Sequence, residues 1–212
     1  MTYDSPLYPD AFFHVYNHSN GTEKLFRDDG NYAYFLRKLT EYLNEIAEIY
    51  AYCLMPNHFH LLIRIKSLEA LKAFYNQIPA KALHNLSEGE INNQILENNS
   101  LQFSHFFNSY TKSFNKLYGR KGSLFMQNFK RKIVEDEGYF WQLVAYIHSN
   151  PVHHGLTNSI QNWRWSSYSS IFVDRDSFLF KTELLELFGG KETFIDYHNQ
   201  HEKLLMMEGF EF

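Results

Sequence analysis

The chain has 212 residues and is 44% hydrophobic and 18% aromatic, a composition that excludes a disordered protein and predicts one main domain. Its single cysteine, Cys53, excludes an internal disulfide, and no stretch approaches the roughly 20 apolar residues that span a bilayer. The start, MTYDSPLYPD, lacks the basic segment and apolar run of a secretion signal. We therefore expect a cytoplasmic protein with no membrane partner.

The net charge of −4 disfavours a nucleic-acid partner, but the charge is unevenly distributed along the chain. Residues 104–134 contain no acidic residue, and their aromatic side chains alternate with basic ones. Such a block suits contacts with phosphates and stacked bases, although a solvated helix and loop would explain the pattern equally well. The candidate DNA-binding residues are Lys112, Lys116, Arg120, Lys121, Lys130, Arg131 and Lys132.

The first third of the chain predicts three strands and one helix. AFFHVYNH, residues 11–18, predicts a strand followed by turn residues. Residues 31–48 predict an amphipathic helix, with apolar side chains at helical spacing after RDDG, which can cap it. EIYAYCLM and HFHLLIRI, separated by PN, predict a β-hairpin over residues 48–65.

The middle of the chain is more polar. Residues 67–100, centred on SEGEINNQILENNS, predict a short helix followed by a mobile insertion. LQFSHFFNSYTKSFNKLYG predicts a second long helix from residue 101 to Gly119, and a fourth strand follows at about 124–135. Asp136 can cap a third helix, which should end near Asn150 because Pro151 disfavours α geometry in the residue before it.

The order β, α, β, β, α, β, α contains the pattern of a ferredoxin-like α+β sandwich. We expect a central four-stranded antiparallel sheet with the helices packed on one face. Residues 157–212 would form a C-terminal extension, mostly helical.

Two histidines stand out in the apolar run CLMPNHFHLLIRI. Residues two apart on a strand point to the same side with Cα atoms about 6.6 Å apart, so His58 and His60 can converge on one ligand or ion. An isolated pair of this kind is more often structural. On the third predicted helix, Tyr146 and Asn150 are offset by only about 40° around the axis and can face one point. A phenol and a carboxamide aimed at a histidine pair would supply a nucleophile and a further metal ligand.

These segments resemble the single-tyrosine HUH transposases, and most closely their REP-associated tyrosine transposase branch. The matching segments lie in the family's order between residues 11 and 170: FFHVYNHSNG, YAYCLMPNHFHLLI, GSLFMQNFKRKIVEDEGYFWQLVAYIHSNPVHHGL and WRWSSYSS. The resemblance implies a transposase domain over residues 1–156, with residues 67–100 as an insertion.

The resemblance also implies roles for the site residues. In the family the histidine pair, here His58 and His60, holds a divalent metal, and the tyrosine of YIHSNP, here Tyr146, is the nucleophile. Asn150 falls where the family places a polar third metal ligand. The family enzymes bind single-stranded DNA, often folded as an imperfect hairpin, and cut beside it without a nucleotide cofactor. Imidazole ligands suit Mn²⁺ and availability favours Mg²⁺, so both metals are candidates.

The chain departs from the family in charge near the site. Where relatives commonly have basic residues, this chain has His18, His153 and His154. Neutral histidines contact phosphate weakly, which predicts lower or pH-dependent affinity for DNA. His14, on the first predicted strand, is expected either to be structural or to contact DNA.

The expected activity is that of a DNA strand transferase or nicking endonuclease. Attack of the tyrosine oxygen on the scissile phosphate leaves a 5′-phosphotyrosine and a free 3′-OH, and rejoining needs no ATP because the ester energy is kept. Two other functions remain open: a non-catalytic protein that binds single-stranded DNA or RNA hairpins, and a metal-dependent hydrolase that activates water. The tail from residue 178 to 212 suggests either self-association as a homodimer or DNA recognition.

Overall fold

The computed structural model describes residues 5–84 and 86–208. The first half of the chain forms β1 (Phe12–His18), α1 (Asp29–Leu43), β2 (Ala47–Met55), β3 (His58–Ile65), α2 (Leu68–Asn76), a 3-10 turn at Pro79–Lys81 and the long helix α3 (Glu88–Tyr118). The second half forms β4 (Lys130–Val134), α4 (Glu137–His153), a 3-10 turn at Ile160–Asn162, α5 (Tyr168–Ile171), α6 (Lys181–Leu187) and α7 (Lys191–Glu208).

The four strands form one antiparallel sheet in the order β2-β3-β1-β4, as the α+β prediction required. The register places Tyr16 of β1 opposite His60 of β3 and His14 opposite Leu62. Because successive side chains of a strand point to opposite faces, β1 presents His14 and Tyr16 on one face and Phe13 and Val15 on the other. The histidines of β1 and β3 therefore share one face.

Helices cover both faces of the sheet, so the expectation of helices on one face was wrong. Helices α1 and α3 pack on the face that carries Phe13 and Val15, and together they form the larger core. On the other face, α4 and the C-terminal helices pack against Leu62 and the apolar side chains of β2. The reason is that β2 is largely apolar on both faces and Leu62 of β3 extends its second apolar face, so each face needs a cover to exclude water.

The helices of the first face differ from their predicted bounds. Helix α1 begins earlier, since Asp28 caps it through the backbone N–H of Asn31 at 3.0 Å, and it ends at Leu43 because the chain from Ala47 onward pairs with β3. Residues 88–100 are the start of α3, not a mobile insertion. Their buried polar side chains misled the prediction: Asn99, for example, accepts a hydrogen bond from Tyr75 and donates one to the carbonyl of Leu7.

The region around β4 and α4 also differs from the prediction. Strand β4 has five residues; in the preceding segment, Phe125 forms an isolated bridge with Ser19, just after β1, and the N–H of Met126 donates to the carbonyl of His18 at 2.9 Å. Helix α4 begins at its predicted cap, Asp136, but continues through Pro151 to His153. Pro151 removes only one backbone donor near the helix end, and the turn still closes with the N–H of His154 on the carbonyl of Asn150 at 2.9 Å.

The chain after α4 packs against β2, which is an edge strand of the sheet, as β4 is on the opposite side. The backbone N–H of Leu54 donates to Trp165 O, and the N–H of Ser167 donates to Tyr52 O, both at 2.9 Å. This segment therefore protects an edge that would otherwise be open. The predicted extension, residues 157–212, is helical in α5, α6 and α7, while residues 209–212 lie outside the described part. No helix within residues 5–84 and 86–208 is both long and apolar enough for a membrane span.

Candidate active site

A cavity of about 530 Å³ opens beside α4 on the histidine face of the sheet. Four of its histidines come from the two central strands, and further side chains come from β4, α4 and α7. The lining residues are His14, Tyr16, His18, His58, His60, Lys132, Tyr139, Gln142, Leu143, Tyr146, His154 and His201. The cavity thus gathers residues from distant parts of the sequence.

The predicted pair His58 and His60 lies in this cavity. Both side chains are buried, and their ring centroids are 5.3 Å apart. Nδ1 of His58 lies 2.8 Å from the amide oxygen of Asn57, which can only accept, so Nδ1 carries the proton and Nε2 keeps its lone pair. Nδ1 of His60 lies 2.9 Å from Nε2 of His14, so a neighbour also orients this ring.

The cavity histidines are neutral at physiological pH. Burial is the main cause that lowers the pKa of His58 to about 3, and the repulsion that would arise between protonated His58 and protonated His18 adds to it. Burial is also the main cause that holds the pKa of His60 well below its usual range, and the repulsion that would arise between protonated His60 and protonated His14 adds to it. Burial and the charge of Lys132 lower the pKa of His14 to about 3. Neutral imidazoles are the form that binds metals, and they do not repel a cation.

The structure brings Tyr146 and Asn150 to this same histidine pair. The Tyr146 ring centroid lies 5.4 Å from that of His60. Asn150 is 1% exposed. Its amide is close enough to His58 to raise the pKa of that imidazole, which partly opposes the effect of burial, so the two side chains are neighbours. Its Nδ2 donates to the backbone carbonyl of Tyr146 at 3.3 Å, whereas its buried Oδ1 has no hydrogen-bond partner among the described residues.

These residues fit a divalent metal by the chemistry of their donors. His58 and His60 are neutral, and hydrogen bonds with Asn57 and His14 orient their rings. Asn150 offers a buried amide oxygen that lacks a hydrogen-bond partner among the residues that the structure describes. Within residues 5–84 and 86–208, no group of three or more His, Cys, Asp and Glu side chains is placed to hold a metal. A site here would therefore depend on the amide oxygen as its third protein donor.

Sequence reasoning placed no residue other than Tyr146 and Asn150 beside the histidine pair, but the structure brings others there. His18 stacks on His58 at 4.5 Å between ring centroids, and His154 lies 5.0 Å from His58. Two sequence signals could have placed them: the spacing of His14 and His18 puts both on one face of a strand, and His154 follows Asn150 by one helical turn. His201, from α7, had no such signal, because only tertiary packing brings it to the cavity.

The seven predicted DNA-binding residues do not form one surface. Lys130 and Lys132 pair with Tyr16 and His14 across the sheet, so they share the histidine face, and Lys132 lines the cavity. Arg131 faces the opposite side, where it packs over Phe129. Arg120 forms an ion pair with Glu23 at 3.0 Å. The remaining three, all exposed, lie on α3 or just after it: Lys112, Lys116 and Lys121.

Comparison with known proteins agrees with the motifs. A Haemophilus influenzae protein named provisionally as a REP-associated tyrosine transposase is 24% identical over 147 residues, which are 61% of this chain and 70% of the relative. A solved structure of a REP-associated tyrosine transposase bound to a REP hairpin matches the fold with a TM-score of 0.52 and 15% identity, covering 80% of this chain and 84% of the other. No family model matches the chain. The predicted resemblance to the REP-associated tyrosine transposases is thus confirmed.

Proposed function

We propose that this relative of the REP-associated tyrosine transposases is a metal-dependent enzyme that cuts and rejoins single-stranded DNA near a hairpin, with Tyr146 as the nucleophile. The observation that carries the proposal is the placement of Tyr146 beside His60, with Asn150 next to His58 and its buried amide oxygen unpaired within the described part of the chain. Since its proposed substrate is DNA, the cytoplasm is its proposed location.

The chemistry assigns one task to each group. His58, His60 and Asn150 would hold Mn²⁺ or Mg²⁺, which when bound polarises the scissile phosphate and stabilises the charge that develops on its oxygens. The Tyr146 oxygen attacks the phosphorus, the bond from phosphorus to the 3′ oxygen breaks, and the products are a 5′-phosphotyrosine and a 3′-OH. The free 3′-OH of the same or another strand reverses the step and rejoins the DNA.

The proposed substrate is a hairpin with a single-stranded flank. The structural relative was solved with a REP hairpin, and this chain shares its fold. Lys130 and Lys132 lie on the cavity face, where they would contact the backbone phosphates that lead to the scissile bond. The buried histidines would add little charge there, because their pKa values are lowered.

The decisive experiment incubates the protein with end-labelled hairpin DNA and Mn²⁺ and analyses the products on a denaturing gel. We expect a covalent protein–DNA band from the wild type and none from Tyr146→Phe. The matched control is Tyr110→Phe, which deletes a buried hydroxyl that donates to Leu25 O on the other face of the sheet. It should cost about 1 kcal/mol of stability and leave the covalent band intact.

The same gel separates the competing functions. Cleavage without a covalent band would identify a hydrolase that activates water, and binding without cleavage would identify a non-catalytic hairpin-binding protein. A covalent band that persists in Tyr146→Phe would show that another residue is the nucleophile.

A further inference from the structure

A second group of histidines lies on the other flank of α4. His148 is fully buried, and both its ring nitrogens are engaged: Nε2 lies 2.8 Å from Oγ of Ser167, and Nδ1 lies 2.9 Å from Nε2 of His198 on α7. Nδ1 of His198 contacts the carbonyl oxygen of Phe194 at 2.7 Å. Oγ of Ser167 also accepts the backbone N–H of Tyr52 at 2.9 Å. This hydrogen-bond chain joins β2, the segment before α5, α4 and α7.

The direction of each bond follows from its end groups. The carbonyl of Phe194 can only accept, so Nδ1 of His198 carries the proton and Nε2 accepts. Nδ1 of His148 must then donate, and its Nε2 accepts from the Ser167 hydroxyl at 2.8 Å, with the carbonyl of Tyr52 as a more distant second acceptor at 3.2 Å. Burial lowers the pKa of His198 to about 4 and holds that of His148 well below its usual range, so both rings are neutral. An apolar replacement at any link would leave a buried polar group unpaired.

The geometry of α4 connects this series of hydrogen bonds to the candidate active site. Ile147 packs into the core between the helix and the sheet, and its neighbours Tyr146 and His148 project about 100° to either side. Tyr146 therefore faces the histidines of β1 and β3, with ring centroids 6.2 Å from His14 and 5.4 Å from His60. His148 faces β2 through Ser167. Anchoring one flank of the helix fixes the direction of the other.

We propose that His148 is a positioning residue: its hydrogen bonds to Ser167 and His198 fix the rotation of α4 about its axis and hold Tyr146 and Asn150 at the histidine pair. The proposal rests on the function proposed above. Apolar contacts are non-directional and tolerate a small rotation, whereas hydrogen bonds do not. A rotation of about 10° moves an atom roughly 6 Å from the axis by about 1 Å, and such a displacement can slow a reaction on the order of 100-fold.

The test compares four variants at saturating hairpin DNA and Mn²⁺: His148→Leu, His148→Gln, Ser167→Ala and the control Val144→Ala. Val144 lies in the same core on the same helix but makes no polar contact, so its variant reports lost packing alone. We expect His148→Leu to slow covalent attachment at least about tenfold, with hairpin affinity within about twofold of wild type. His148→Gln should recover much of the rate, because an amide can both donate and accept. A rate loss in His148→Leu no larger than in Val144→Ala would overturn the proposal.

A second measurement needs no activity and separates this proposal from the proposed function. 3-Fluorotyrosine at position 146 gives one ¹⁹F resonance, which we expect to shift and broaden in His148→Leu and Ser167→Ala and to stay unchanged in Val144→Ala. An unchanged resonance in both His148→Leu and Ser167→Ala would refute the positioning role even if the wild type is active. If the resonance shifts in His148→Leu and Ser167→Ala but the wild type forms no covalent product, only the proposed function is refuted. If His148→Leu does not fold, Ser167→Ala decides the matter, since it deletes a single hydroxyl.

Discussion

Replacing Asn150 with leucine should make the metal-free protein more stable and at the same time weaken its response to metal. The buried Oδ1 of Asn150 has no hydrogen-bond partner among the described residues, and such an atom costs about 1–3 kcal/mol. Leucine has a similar volume, removes this cost and gains about 0.5 kcal/mol in helix propensity. It loses the bond from Nδ2 to Tyr146 O, which at 3.3 Å is long and contributes about 0.5–1 kcal/mol.

The net effect is a stabilisation of about 1–2 kcal/mol, or roughly 2–5 °C in the unfolding temperature for a chain of this size. Calorimetry of both proteins with a chelator measures this change in the stability of the metal-free form. Calorimetry with Mn²⁺ measures the stabilisation by metal. At 100 times its Kd the metal should stabilise the wild type by about 2.7 kcal/mol. If loss of the Asn150 oxygen weakens metal binding 100-fold, the same Mn²⁺ concentration should stabilise Asn150→Leu by only about 0.4 kcal/mol.

Asn150→Asp is the control, since it retains an oxygen donor and should keep the response to Mn²⁺. If metal-free Asn150→Leu unfolds below the wild type, the amide oxygen is already satisfied in solution. If Mn²⁺ stabilises Asn150→Leu as much as the wild type, Asn150 is not a ligand.

Three further predictions concern the metal, the DNA and the pH. His58→Ala or His60→Ala should abolish cleavage in Mn²⁺ while a gel-shift assay still detects hairpin binding; unchanged cleavage would remove that histidine from the site. Neutralising Lys130 and Lys132 together should weaken hairpin binding and lower the salt slope by up to about two units, and a wild-type slope would place the DNA on another surface. Stability should fall as the pH drops from 6.5 to about 4, because the unfolded chain then takes up a proton that buried His198 does not, a difference of about 3 kcal/mol. Urea titrations of wild type and His198→Gln at several pH values measure the contribution of His198 to the unfolding free energy. Equal pH dependence in both proteins would contradict this contribution.

The sequence by itself determined the local elements and the orientation of the predicted site residues. Alternation along β3 places His58 and His60 on one face, and the helical period places Tyr146 and Asn150 on one flank of α4, because both patterns depend only on neighbours in the chain. The cap at Asp136 and the hairpin turn between β2 and β3 are local for the same reason. The order of these elements was also sufficient to predict the antiparallel sheet.

Only the tertiary structure decided which distant residues meet. The β1–β3 register brings His14 to His60, the β1–β4 pairing brings Lys132 opposite His14, and the packing of α7 brings His198 to His148. Residues 88–100 became helical because their polar side chains are paired with partners far away in sequence, which composition alone does not reveal. Each of these contacts stabilises the fold only after long loops have closed, so the physical information lies in the packed structure and not in any local window of the sequence.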